Sequence, residues 1–238
     1  MDEARLYTAF ESAVAPGTEP APATGTTVVQ YGFPGSGSTF VWQVLNALFG
    51  DAKKTHECPP LRDDYRLVAT IRDFRDVLCT YFRRADLPVC RDSIDFIVNR
   101  LGGAAFRELY KVSDTWTDER RILWLRYERF AHDFDYVFVR IESFFGIELS
   151  EEQKEHCRRR YSLQANLVRT READALCNRA EARGWLDERW KQYTVDGING
   201  LHITGRGAVG KWRRTIPEEL HEHLNEALRA PLERYGYL

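Results

Sequence analysis

The stretch Gly32-Phe33-Pro34-Gly35-Ser36-Gly37-Ser38-Thr39 lies between a predicted strand and a predicted helix, and it decides the fold class of this chain. Residues 27–32 before it are mostly β-branched or aromatic, and apolar residues recur at helical spacing over 40–49 after it. Glycines at a strand-to-helix turn let successive backbone N–H groups point at an anion, and the helix dipole favours negative charge there. The stretch therefore predicts an anion site, with a tight structural turn as the alternative.

Strand-like and helix-like segments alternate outward from this loop. Residues 67–71 and 122–125 are predicted strands, and each leads into a segment with helical spacing of apolar residues. This alternation is typical of an α/β fold with a central parallel sheet flanked by helices. The strand ends at Phe33, Ile71 and Tyr127 should then lie along one edge of the sheet, where such folds bind ligands.

The two ends of the chain differ in character. Residues 1–26 are predicted to be an N-terminal arm, because 15–25 are rich in Pro, Ala, Gly and Thr and are typical of a linker. Residues 27–238 are predicted to form a single domain. Its last helix is expected to open at 215–219 and to carry Leu220, Leu224 and Leu228 on one apolar stripe.

Composition excludes several classes of protein. The chain has 238 residues, and its 34 Lys and Arg against 36 Asp and Glu leave a formal charge of −2. No bulk field therefore attracts nucleic acid or a membrane surface, and no run approaches the ~18 apolar residues of a transmembrane helix. The start lacks the pattern of a signal peptide. Scattered cysteines without a CxxC pair predict reduced thiols in a cytoplasmic protein: Cys58, Cys79, Cys90, Cys157 and Cys177.

The loop is not a complete nucleoside-triphosphate P-loop. That motif, G-x-x-x-x-G-K-[ST], needs a lysine where Ser38 stands, although Gly32 and Gly37 supply its glycines. The strand that ends at Ile71 is followed by Arg72 rather than by a Walker-B aspartate. A nucleotide-dependent kinase with a degenerate loop is therefore an alternative, but a disfavoured one.

Arg72 and Thr80 form a second candidate anion site. Arg72 follows a predicted strand, and Thr80 lies eight residues further on, about two helical turns away, so both share one face. A guanidinium fork and a hydroxyl suit a phosphate dianion. The alternative is a surface arginine paired with Asp73 or Asp76.

His56 is the candidate general base, since imidazole is the side chain that exchanges protons near neutral pH. It follows Lys54 after the first predicted strand and helix. A lone loop histidine is the alternative interpretation. His221 and His223 are spaced i, i+2, which points them to different faces of a helix, so no metal site is predicted.

Five segments resemble the PAPS-dependent sulfotransferases of the cytosolic type, where PAPS is 3′-phosphoadenosine 5′-phosphosulfate. Residues 33–40 resemble the loop Y-P-K-S-G-T-T-W, and Lys54-Thr55-His56 resembles K-T-H. Residues 72–82 resemble R-D-P-R-D-V-x-x-S-Y-Y, and 205–213 resemble R-K-G-x-x-G-D-W-K. Leu125-Arg126-Tyr127-Glu128 resembles the Y-E-D segment. The matches occur in the family's order over most of the chain.

The resemblance implies a P-loop-like sulfotransferase fold, with PAPS as cofactor, PAP (adenosine 3′,5′-bisphosphate) as product and no metal. It implies His56 and Lys54 as catalytic residues. The loop would bind the 5′-phosphosulfate, and a second group of residues would bind the 3′-phosphate and the adenine. The implied cofactor-binding residues are Gly35, Ser36, Gly37, Ser38, Thr39, Phe40, Arg72, Thr80, Tyr127, Arg206 and Gly207.

The main departure from the family is at Gly35, which replaces the lysine that contacts the phosphosulfate bridge. Lys54, Lys53 or Arg206 are candidates to supply that charge through space. Other positions also differ: Gly205 replaces a basic residue, Phe40 replaces the adenine-stacking Trp, and Thr80 replaces Ser.

The predicted function is sulfuryl transfer from PAPS to a hydroxyl, or to an amine, of a small-molecule acceptor. Aromatic residues in the variable stretches 85–120 and 160–204 suit an aromatic or hydrophobic acceptor, with ordinary core packing as the alternative. The protein is expected to be a monomer or a homodimer. The alternative from another class is a non-catalytic, nucleotide-binding relative of the sulfotransferases.

Overall fold

A computed structural model of the protein describes residues 25–181 and 207–238. Almost all of the predicted arm, Arg206 and the later part of the stretch 160–204 lie outside the described residues. Four parallel strands form one sheet in the order β2-β1-β3-β4. Their bounds are β1 Thr27–Gly32, β2 Lys53–Thr55, β3 Tyr65–Ile71 and β4 Ile122–Arg126.

The strand order creates the ligand-binding crevice. The chain moves from β1 to β2 on one side, and then returns to place β3 on the opposite side of β1. Connections therefore diverge between β1 and β3, which is the topological switch point where open α/β sheets bind ligands. The glycine-rich loop leaves β1 at this point, and Arg72 follows β3 beside it.

Helices cover both faces of the sheet. The first two follow the central strands directly: α1, Ser38–Phe49, follows β1, and α2, Phe74–Arg84, follows β3. A π-helical turn at Gly102–Phe106 joins α3 to α4, and a 3₁₀ turn at Glu218–Leu220 precedes α10. The remaining helices in the described residues are α3 Arg91–Leu101, α4 Arg107–Thr115, α5 Tyr127–Phe130, α6 Phe134–Phe145, α7 Glu151–Tyr161, α8 Leu163–Glu181, α9 Trp212–Thr215, α10 His221–Ala227 and α11 Arg229–Arg234.

Two apolar cores follow from the alternation of side chains along the strands. Tyr31 and Leu67 point into a core on one face that also contains Phe74. Val28 and Val68 point into the other core, which α1, α6 and α7 cover. The predicted central parallel sheet flanked by helices is therefore confirmed.

Strands β1, β3 and β4 and helices α1 and α2 agree with the prediction, whereas strand β2 and several helices, α3 and α4 among them, were not predicted. Strand β2 was missed, because its sequence Lys-Lys-Thr has no apolar pattern. The expected continuous last helix is wrong, since it divides into a 3₁₀ turn, α10 and α11. Pro231 explains the second break: proline cannot donate an N–H to the carbonyl of Ala227 and clashes with it. Leu224 and Leu228 are nevertheless fully buried, as the apolar stripe requires.

Within residues 25–181 and 207–238, the structure contains no helix with the length and hydrophobicity to cross a bilayer. Four cysteine side chains are described there, and all are free thiols: Cys58, Cys79, Cys90 and Cys157.

Candidate active site

The loop between β1 and α1 depends on two glycines. Gly35 and Gly37 have φ values of 79° and 80°, in the left-handed region that favours glycine. A Cβ atom on Gly37 would lie 2.8 Å from Cδ2 of Tyr127 and 2.9 Å from Cε2 of Phe130. The loop can therefore pass beneath these two rings only because residue 37 has no side chain.

Ser36 stabilises the loop from inside. Its N–H and its Oγ both donate to the carbonyl of Phe33, at 3.0 and 2.6 Å, and Oγ also lies 2.8 Å from Oγ1 of Thr70. The side chain is fully buried. The loop conformation uses both donors of Ser36, so the role of this residue as a cofactor ligand stays a prediction.

A cavity of about 390 Å³ opens beside the loop, and most of the predicted cofactor-binding residues line it. The first N–H groups of α1 belong to Ser38, Thr39 and Phe40 and have no partner within the helix, as at any helix N-terminus. The structure thus brings together Gly35, Gly37, Ser38, Thr39, Phe40, Arg72, Thr80, Tyr127 and Gly207.

Arg72 is held rigidly at this cavity. Only 6% of the residue is exposed, and its guanidinium forms a 3.2 Å ion pair with the fully buried Asp76. It also donates to the carbonyl of Ala208 at 2.5 Å and lies 4.1 Å from the centre of the Tyr127 ring. In the part of the chain that the structure describes, its buried Nε has no hydrogen-bond partner. A buried orphan donor on a cation suits an anionic ligand.

Asp76 also fixes the segment that closes one side of the cavity. Its carboxylate accepts from the backbone N–H of Gly210 at 2.8 Å and of Trp212 at 3.0 Å. The pairing of Arg72 with Asp76 was expected as an alternative to phosphate binding, but the structure contains both the pair and the cavity. Sequence reasoning missed this clamp, although the second aspartate of the R-D-x-R-D motif marks it.

Lys211 was also missed. Its Nζ lies in the cavity wall and donates to Oγ1 of Thr80 at 2.8 Å. Burial, followed by the nearby guanidinium of Arg72, lowers the pKa of Lys211 to about 8. The signal was present in the sequence, since Lys211 stands where the family motif G-D-W has its aspartate.

The predicted catalytic pair lies on the β2 side of the loop, outside the lining of this cavity. Nδ1 of His56 is 2.6 Å from the carbonyl of Gly32. Because a carbonyl only accepts, this bond assigns the proton to Nδ1 and leaves Nε2 as the basic nitrogen. Lys54 donates from Nζ to Oγ1 of Thr39 at 2.6 Å, and burial lowers its pKa.

Aromatic rings form another wall of the cavity. Phe40 stacks on Phe130 with ring centres 5.7 Å apart and meets Phe134 edge-on at 5.0 Å. Burial raises the pKa of the neighbouring Tyr127, which keeps its hydroxyl neutral. Flat apolar surfaces of this kind suit a planar ring such as a purine.

Gly207 begins the described part of the closing segment. Its φ is 73°, and a Cβ atom there would lie 3.0 Å from Cδ2 of Leu163 and 3.3 Å from Cε1 of His132. A side chain at this position would therefore press against the cavity wall.

Some of the aromatic residues predicted to form an acceptor pocket are buried in the core, and others lie outside the described residues. Phe106 and Trp116 are buried in the core on the α2 side, whereas Phe96 is 53% exposed. Trp185, Trp190 and Tyr193 lie outside the described residues.

A metal centre was not expected here. In the ranges that the structure covers, His, Cys, Asp and Glu side chains do not gather in groups of three that could hold a metal ion. The absence of a metal from the reaction stays a prediction.

The class of the protein now follows. Residues 60–236 match the family described as "Sulfotransferase domain", so the chain belongs to the sulfotransferase domain family. That match covers Arg72, Thr80 and Tyr127 but begins after the glycine-rich loop and His56. No curated protein sequence matches the chain.

Solved structures of other proteins share this fold. The protein resembles mouse sulfotransferase SULT7A1, crystallised with PAP, with 12% identity, a TM-score of 0.57, and coverage of 96% of this chain and 89% of that one. It also resembles retinol dehydratase, in one complex with androsterone and PAP and in another with retinol and PAP. For these two complexes the sequence identities are 17% and 18%, and both TM-scores are 0.57. The matches cover 95% and 96% of this chain and 85% and 86% of the dehydratase chains.

Proposed function

We propose that the protein transfers a sulfuryl group from PAPS to a hydroxyl, or to an amine, of a small-molecule acceptor. One observation carries this proposal: the glycine-rich loop and the Arg72–Thr80 pair line the same cavity. A nucleotide with phosphates at both its 5′ and 3′ positions needs two such anion sites, whereas ATP needs only the first. The PAP present in the crystals of the structurally similar sulfotransferase and retinol dehydratase supports the same donor.

The residues present fit such a nucleotide. The N-terminus of α1 and the loop would bind the 5′-phosphosulfate through backbone N–H groups. The orphan Nε of Arg72 would find an acceptor in the 3′-phosphate. Phe40, Phe130 and Tyr127 would hold the adenine, and Arg206 and Gly207 would close over the phosphate.

The chemistry then belongs to the loop side of the site. His56 Nε2 accepts the proton of the acceptor hydroxyl, while the Nδ1 bond to Gly32 holds the ring in the correct tautomer. The acceptor oxygen bonds to sulfur as the bond between sulfur and the 5′-phosphate oxygen breaks. The electron pair of the broken bond leaves with PAP. Lys54, directed at the first turn of α1 through Thr39, stabilises the negative charge that develops on that oxygen.

Lys54 is our candidate to replace the lysine that is absent at Gly35. Its lowered pKa reflects burial, and a less hydrated ammonium is a stronger electrostatic partner for a developing anion than a solvated one. Gly35 also favours a second candidate function, a nucleotide-binding protein that has lost turnover.

The acceptor is proposed to be small and of aromatic or hydrophobic character. Retinol and androsterone, the molecules bound to the related dehydratase, are of this kind and support the class without naming the acceptor. Monomeric or homodimeric state and a cytoplasmic location stay predictions.

The test is an assay with ³⁵S-labelled PAPS against a panel of phenols, alcohols and amines. We expect labelled product and PAP to appear in equal amounts with at least one class of acceptor. Tight binding of PAP without turnover on any class would favour the nucleotide-binding alternative. Mg²⁺-dependent turnover of ATP that survives the Arg72→Ala substitution would favour the kinase.

A further inference from the structure

We propose that Lys211 binds the 3′-phosphate of the nucleotide together with Arg72 and Thr80, and thereby selects nucleotides that carry this phosphate. The inference rests on the proposed function and deepens it. Neither the family motif, which has an aspartate at this position, nor the resemblance assigns a role to Lys211.

Position supports this role. Lys211 lies in the cavity wall, and its Nζ is hydrogen-bonded to the hydroxyl of Thr80. Thr80 is the residue that, with Arg72, is expected to hold the 3′-phosphate. The ammonium therefore lies within one hydrogen bond of that phosphate site.

The position is also fixed by tertiary structure. Asp76 accepts from the backbone N–H groups of Gly210 and Trp212, the two residues that flank Lys211. Asp76 belongs to α2, the same helix as Thr80. The clamp therefore sets the distance between the ammonium and the hydroxyl before any ligand arrives, which reduces the entropy lost on binding.

The charge of Lys211 needs a counter-ion more than the charge of Arg72 does. Arg72 forms an ion pair with Asp76, whereas Nζ of Lys211 donates to a neutral hydroxyl. A half-buried ammonium beside a guanidinium costs free energy, because burial and a like charge both disfavour its charged form. A phosphate dianion placed between the two cations removes that cost.

Binding should consequently depend on pH. The groups that act on Lys211 from α2 and the adjoining strand end are Arg72, Asp76, Cys79 and Arg83, and Lys211 has a pKa of about 8 in the free protein. A bound phosphate favours the charged ammonium and raises that pKa. Affinity is therefore highest between about pH 6, below which the phosphate itself takes up a proton, and pH 8. It falls as pH rises above 8, by up to about tenfold per pH unit until the pKa of the complex is reached.

The experiment compares the binding of PAP and of AMP, which lacks the 3′-phosphate, by isothermal titration calorimetry at pH 7. The proteins are the wild type, Lys211→Met, Lys211→Arg and, as a matched control, Lys154→Met, a lysine on α7 that pairs with Glu142. We expect Lys211→Met to lose PAP affinity on the order of 10- to 100-fold, which is the size of one charge-assisted hydrogen bond. Its affinity for AMP should change by less than about twofold. Lys154→Met should bind both nucleotides as the wild type does.

Two further measurements separate binding from folding. Lys211→Met should unfold at the same temperature as the wild type or higher without ligand, because it replaces a partly desolvated charge with an apolar chain. Lys211→Arg should keep PAP affinity and lose its decline above pH 8, since a guanidinium stays charged.

The outcomes are distinguishable. If the wild type fails to prefer PAP over AMP, the proposed function itself is wrong. If the wild type prefers PAP but Lys211→Met does so equally, or loses both nucleotides to the same extent, only the role of Lys211 is overturned.

Discussion

The two predicted phosphate-binding ends of the cavity differ from the family pattern in opposite directions, since one has lost a positive charge and the other has gained a cation in place of an acid. The loop end has Gly35 where the family has lysine, and the Arg72 end has Lys211 where the family has aspartate. The loop end offers backbone N–H groups and Lys54, which reaches it from β2 and donates to Oγ1 of Thr39. The Arg72 end has side-chain cations of its own. Under the proposed function the two ends would have separate tasks, with chemistry at the loop end and nucleotide selection at the Arg72 end.

The largest expected effect is at the loop end. His56→Ala should lower turnover on the order of 10²- to 10⁴-fold, because the acceptor loses its general base. PAP affinity should not change, since His56 lies outside the cavity lining. Steady-state kinetics and PAP titration would measure the two quantities, with the surface variant His223→Ala as control. Undiminished turnover would remove His56 from the mechanism.

Lys54→Met should have the next largest effect. Loss of the ammonium directed at the first turn of α1 is expected to reduce kcat on the order of 10²- to 10³-fold, as for other groups that stabilise developing charge. Lys53→Met is the matched control, because Lys53 belongs to the same strand but lies over the Tyr65 ring. Equal losses in the two variants would mean that β2 matters only for folding.

Arg72→Met tests the end of the cavity where the 3′-phosphate is expected to bind. We expect PAP affinity to fall on the order of 10- to 100-fold, the range for hydrogen bonds to charged groups. Arg75→Met is the matched control: Arg75 is equally buried on α2, but Asp73, Asn225 and the carbonyl of Tyr237 engage its guanidinium. It should lower the free energy of unfolding by about 3 kcal/mol or more and leave the affinity of the folded fraction intact. If Arg72→Met and Arg75→Met bind PAP equally weakly, Arg72 has no specific role in binding the nucleotide.

The smallest effect is expected when the missing lysine is restored. Gly35→Lys meets no clash, since the nearest atom to an added Cβ is Cγ1 of Val77 at 3.5 Å. The left-handed φ of 79° should still cost about 1–2 kcal/mol of unfolding free energy. Gly35→Ala has the same backbone cost without the charge. A higher kcat for the lysine variant than for the alanine variant would isolate the contribution of the charge, and equal values would mean that Lys54 already supplies it.

The local parts of this protein could be predicted from its sequence. The β-branched runs, helical spacing and glycines predict strands β1, β3 and β4, helices α1 and α2, and the glycine-rich loop. Arg72 and Thr80 could be placed on one face of a helix because only eight residues separate them. Each of these inferences depends on neighbours within two or three helical turns.

Tertiary structure alone decided the rest. Lys211 donates to Thr80 across 131 residues of sequence, and Asp76 clamps Trp212 across 136. Strand β2 pairs in parallel with β1 after the crossover through α1, and that pairing brings Lys54 and His56 to the loop. Local propensity has no information about such pairs, because the order of the strands and the burial of a charge are properties of the assembled sheet. The sequence alone therefore predicted two candidate anion sites, and the fold decided which cations lie beside them.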